Sequence, residues 1–74
     1  MTGYGVVLFH TTSAVMKAEK LLLGKNLTLK LIPTPRQFST DCGLSLRFEW
    51  DKKDTIESVL ASNRIENAGI FQLT

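Results

Sequence analysis

Few residues in this 74-residue chain can do chemistry: one cysteine, Cys42, one histidine, His10, and a scatter of hydroxyls. Cys42 lies in IPTPRQFSTDCGLSLRF, residues 32–48, where eleven mostly polar and turn-forming residues, Pro33 to Gly43, separate two alternating hydrophobic runs. A thiol there can act as a thiolate nucleophile or fill space as a small hydrophobe. One Cys and one His fall short of the four ligands of a structural zinc, so no metal is expected. A Cys–His pair also suits nucleophilic catalysis, but only Thr11, Thr12 and Asp41 are local candidates to orient the base. Since no segment promises a substrate pocket, a hydrolytic enzyme is not expected.

Positioning those residues requires regular elements. Residues 4–10, YGVVLFH, read as a first strand rich in Val, Leu and aromatics. Thr12 or Ser13 can cap a helix in which Ala14, Val15, Ala18, Leu21 and Leu22 recur at helical spacing, with Gly24 as its stop. LTLKLI, residues 27–32, alternates as a short second strand closed by Pro33 and Pro35. LSLRFEW, residues 44–50, alternates most clearly, with Leu44, Leu46, Phe48 and Trp50 inward and Ser45, Arg47 and Glu49 outward. Asp51 or Asp54 can cap a second helix carrying Ile56, Val59 and Leu60, and IFQL, residues 70–73, reads as the last strand.

The order βαββαβ predicts an α+β, ferredoxin-like fold over a single domain, residues 1–74: a four-stranded antiparallel sheet, order 4-1-3-2, with two helices on one face. This topology puts the strand 2–strand 3 loop at the same end as the first turn of helix 1. Cys42 is therefore expected near His10, Thr11 and Thr12, partly exposed and about one hydrogen-bonded shell from that helix N-terminus. The helix N-terminus, Arg36 and an imidazolium on His10 would each favour negative charge on the sulfur, whereas Asp41 would oppose it. Hairpin loops usually take about two to five residues, so this one is long. Its prolines, a turn through Ser39, Thr40 and Asp41, and a special backbone conformation at Gly43 are expected to fix the thiol's pose.

Composition narrows the class. Hydrophobic residues make up 43% of the chain and Gly and Pro are too few for disorder, so a globular domain follows. The formal charge of +2 is spread without a Lys/Arg-rich block, which argues against nucleic acid as a partner. MTGYGVVLFH has neither a basic n-region nor an apolar run of membrane-spanning length, and the lone cysteine suits a reducing compartment. A cytosolic protein without membrane contact is expected. Strand 1 would present an apolar strip, Tyr4, Val6 and Leu8 or Gly5, Val7 and Phe9, on the sheet face away from the helices; that strip suggests a homodimer.

LFHTTSAVMKAEKLL, LKLIPTPRQFSTDCGLSLRF and NAGIFQL together resemble a family of small bacterial proteins described as selenium/sulfur carrier protein-like, across about residues 4–73. The most specific part is I-P-T-P-R followed by S-x-x-C-G and an alternating strand. The resemblance implies that Cys42 is the carrier thiol, accepting sulfur or selenium from a donor protein as a persulfide or selenosulfide and passing it to an acceptor. His10, Thr11, Thr12, Arg36, Ser39 and Gly43 are the supporting candidates, and no separate cofactor is expected. Within the family pattern, small hydroxylic residues precede the cysteine, so Asp41 is a departure. The alternative is a non-catalytic interaction or regulatory domain that binds through the long loop or the open sheet face.

Overall fold

A computed structural model describes residues 3–38, 40 and 42–73. The elements are β1 (Tyr4–Leu8), α1 (Thr12–Leu23), β2 (Leu29–Pro33), β3 (Leu44–Glu49), a 3-10 turn (Trp50–Lys52), α2 (Lys53–Ser62) and β4 (Gly69–Gln72). All strand pairs are antiparallel, in the order β2-β3-β1-β4, which read from the other edge is the expected 4-1-3-2. Pro33 closes the ladder opposite Leu44 on the edge strand β2, where a missing N–H costs no central hydrogen bond.

Both helices pack on the same sheet face. Val15, Ala18 and Leu22 of α1 and Ile56 and Leu60 of α2 join Val7, Leu46 and Phe48 in one buried cluster, which also takes in Phe9, Cys42 and Ile65. Gly5 lies opposite Phe48 on this face, beneath the stacked rings of Phe48 and Trp50, whose centroids are 5.9 Å apart. A Cβ on Gly5 would sit 2.7 Å from Phe48 Cζ and 2.9 Å from Trp50 Cζ3, so the missing side chain is what lets the aromatics cover the strand.

The helix ends differ from expectation. Thr11, not Thr12 or Ser13, caps α1: its backbone is extended and its Oγ1 accepts from the Ala14 N–H at 3.1 Å. α1 does stop at Gly24, its C-cap, as expected, but Gly24 is right-handed and the left-handed residue after it is Asn26, followed by the Leu27 N–H donating to Leu22 O at 3.4 Å. No side chain caps α2, so Asp51 and Asp54 do not play that part; Asp54 sits in the first turn, where its charge meets the positive end of the helix dipole. α2 ends in a Schellman arrangement, with Arg64 N–H to Ala61 O at 3.2 Å and Ile65 N–H to Leu60 O at 3.0 Å. No helix among the described residues is long and apolar enough to cross a membrane.

The second sheet face corrects the sequence reading. Ser45 is expected on the outward polar face of its strand, and Tyr4, Val6 and Leu8 form one of the two alternative apolar strips; this strip does face away from the helices, yet Val6 and Ser45 are 0% exposed and Leu8 3%. The chain's own loop comes to this face. Phe38 stacks on Phe71, the cross-strand partner of Val6, with centroids 4.8 Å apart, and the Arg47 guanidinium lies 4.4 Å over the Tyr4 ring. Tyr4 and Phe71 are the large hydrophobics left exposed there.

Candidate functional site

Cys42 is placed by the hairpin that carries it. The β2–β3 register continues one step past Pro33 and Leu44, with the Thr34 N–H donating to Gly43 O at 2.9 Å. Thr34 lies two residues beyond Ile32, the partner of Ser45, so its side chain shares a face with Ser45, and the two hydroxyl oxygens are 2.8 Å apart. Thr34 spends its single hydroxyl hydrogen on Cys42 O, at 3.1 Å, so in this contact Ser45 is the donor and Thr34 the acceptor. The Thr40 hydroxyl also donates to Cys42 O, filling both lone pairs of that carbonyl. The backbone of the cysteine is thus tied down by two threonines and, through Thr34, by a buried serine.

The thiol itself points into the core. Cys42 is only 3% exposed, which overturns the expected partial exposure, and it belongs to the helix-side cluster with Phe9 and Val15. The reason is packing: at the end of the sheet next to α1 a small, polarizable side chain fills the space and satisfies its S–H internally. Sγ donates to Leu44 O at 3.4 Å and lies 3.9 Å from Thr12 Oγ1. With the S–H directed at Leu44, the Thr12 hydroxyl is the donor to sulfur.

The supporting residues divide accordingly. Thr12, the first residue of α1, touches the sulfur, and Thr11 acts through it by capping that helix. His10 is exposed in a bend after β1 and makes no hydrogen bond or ion pair among the described residues. Arg36 is exposed within the turn closed by the Phe38 N–H to Pro35 O bond, and it makes no ion pair or hydrogen bond with the cysteine. Neither residue is gathered to the thiol. Gly43 is not left-handed, and a Cβ built on it would meet nothing within 4 Å, so the special conformation expected there is not used; only its carbonyl contributes. Ser39 and Asp41 lie outside the described residues.

Sequence reasoning missed Thr34 and Ser45. Counting the ladder outward past Pro33 would have found them, because it sets Thr34 opposite Gly43 and diagonal to Ser45. Among the described residues, no group of three or more His, Cys, Asp or Glu is placed to hold a metal ion.

Fold and site define a small α+β protein with one thiol enclosed between a helix N-terminus and a hydroxyl-laced hairpin. Its sequence matches, over residues 4–72, the family model described as "Putative Se/S carrier protein-like", and the chain belongs to that family. No curated protein and no solved structure matches it.

Proposed function

We propose that the protein carries sulfur or selenium on Cys42 as a persulfide or selenosulfide. The observation that supports this most is family membership across residues 4–72 in a chain with a single thiol. In loading, the Cys42 thiolate attacks the outer sulfur of a donor persulfide, R–S–S–H. An S–S bond forms at Cys42, the donor's S–S bond breaks, and the donor leaves as R–S⁻, with no net oxidation. A donor selenopersulfide, R–S–Se–H, reacts in the same way. In delivery an acceptor thiolate attacks the outer atom and frees Cys42, so the second thiol belongs to another protein.

Thr12 supplies a hydroxyl donor to the sulfur, one that an anionic sulfur can still accept. Because Cys42 is enclosed, reaction with a partner requires local opening around the thiol, of the kind native proteins undergo below the global unfolding free energy. The strand order and one-sided helices fit a ferredoxin-like single domain, and the lone cysteine fits the reducing cytosol.

Incubation with a persulfide-bearing cysteine desulfurase and intact-mass spectrometry tests the proposal. One added sulfur on the wild type, absent from Cys42→Ser and removed by dithiothreitol, is expected; no added mass on the wild type sinks it.

Enclosure of the thiol favours a second reading, a protein-binding domain in which Cys42 is only a core residue. Its partner surface would be the loop or the face bearing Tyr4 and Phe71, a homodimer contact included. Native alkylation of Cys42 separates the two. Modification well ahead of global unfolding favours the carrier, and modification only at the unfolding rate favours the binding domain.

A further inference from the structure

The basic residues are not evenly placed around the fold. Beside α1, a groove of about 750 Å³ is lined by Lys17, Lys20 and Lys25, with Leu21 and Ile65 as its apolar floor and no carboxylate. A smaller concavity of about 390 Å³ shares Lys17 and Ile65 with it and adds Arg64 and Glu66. Four cations against one carboxylate leave an excess of three, whereas the whole chain carries +2, so the rest of the molecule nets one negative charge. The one ion pair among the described residues is Lys53–Glu57, on α2, so none of the four cations has an ion-pair partner among the described residues.

Local structure does not account for the whole cluster. Lys20 and Lys25 complement the negative end of α1, but Lys17 stands in mid-helix and Arg64 on a different element. Arg64 also holds a left-handed backbone, φ 55°, at the position after α2 where glycine is the favoured residue. A long cationic side chain is thus kept at a backbone cost, which points to use of the side chain.

We propose that this groove is the docking surface for an acidic segment of a protein partner, its carboxylates meeting Lys17, Lys20, Lys25 and Arg64 and its apolar side chains resting on Leu21 and Ile65. The surface reaches Ser13 in the first turn of α1, next to Thr12, whose hydroxyl touches Cys42. A segment lying along the helix, about 18 Å for its twelve residues, ends beside Thr12, one contact from the enclosed thiol. Resting on the carrier reading, the partner is a sulfur donor or acceptor; the docking itself does not depend on that reading.

The test is a titration of the ¹⁵N-labelled protein with a synthetic peptide of repeated Glu-Glu-Leu, followed by amide shifts at several salt concentrations. Shifts confined to the groove, weakening with salt, are expected. The pair Lys17→Glu/Lys25→Glu should weaken binding by about tenfold or more, and Lys30→Glu/Lys52→Glu, with the same net charge, by less than about twofold. Arg64→Gly should weaken binding while raising Tm, which separates lost contact from lost folding. Equal effects of the two double variants, shifts elsewhere, or tighter groove binding by single-stranded oligothymidine would each overturn the proposal. Cys42→Ser should titrate as the wild type does, so a failure of docking is distinguishable from a failure of sulfur loading.

Discussion

Oγ1 of Thr12 lies 3.9 Å from Sγ of Cys42, joining the first residue of α1 to a loop residue thirty positions later. Thr12→Val removes this donor at nearly constant volume, and Thr12→Ser keeps it. Because the hydroxyl also stays within reach of an anionic sulfur, Thr12→Val should slow persulfide loading several-fold while changing stability by about 1 kcal/mol or less. Thr12→Ser should restore the rate. Loading time courses by mass spectrometry, set beside urea titrations, check both.

The Phe38–Phe71 stack holds the loop to the second sheet face without being part of the thiol's own surroundings. Such a pair is worth about 0.5–1.5 kcal/mol beyond its buried area, so Phe38→Ala should speed native alkylation of Cys42 by roughly 2- to 13-fold. A pseudo-first-order iodoacetamide assay at fixed pH measures this, with Met16→Ala, an exposed change on α1, as the control expected to leave the rate unchanged.

Gly5 has no room for a side chain beneath Phe48 and Trp50. Gly5→Ala should destabilise the fold by about 1–3 kcal/mol, which lowers Tm by roughly 5–20 °C. Thermal unfolding followed by circular dichroism gives the number, and loss of the Trp50 near-ultraviolet signal should accompany it.

Thr34 serves two buried polar groups at once, Cys42 O and Ser45 Oγ. Thr34→Val should cost about 1–3 kcal/mol, because it leaves the Ser45 hydroxyl enclosed without its partner. Adding Ser45→Ala removes the orphan, so the double variant should be no less stable than Thr34→Val alone. Chemical denaturation of the four proteins closes the cycle.

Much of this fold was legible in the chain. The alternation of Leu44, Leu46 and Phe48 and the helical spacing of Val15, Ala18 and Leu22 each select one buried face, and the element order βαββαβ predicts the observed sheet order. Cap identity was not legible, since Thr11, Thr12 and Ser13 are chemically interchangeable as caps and only backbone geometry chooses Thr11. The proximity of Cys42 to α1 followed from topology, but its burial did not. Alternation shows which way a strand residue points, not whether a loop returns to cover it, so the burial of Ser45, Val6 and Leu8 is not visible in the pattern. His10 and Arg36 were placed at the right end of the molecule, yet sharing an end does not bring side chains together.

Carriage on Cys42 requires both acceptance and release. The most direct measurement is a load-and-chase experiment: the protein is loaded by a persulfide donor, freed of it, then mixed with a thiol-bearing acceptor protein while intact mass and the modified site are followed. One chalcogen atom should appear on Cys42 during loading and leave it for the acceptor during the chase, with Cys42→Ser inert in both phases. Loading that is absent, that occurs equally in Cys42→Ser, or that never transfers would contradict a carrier role.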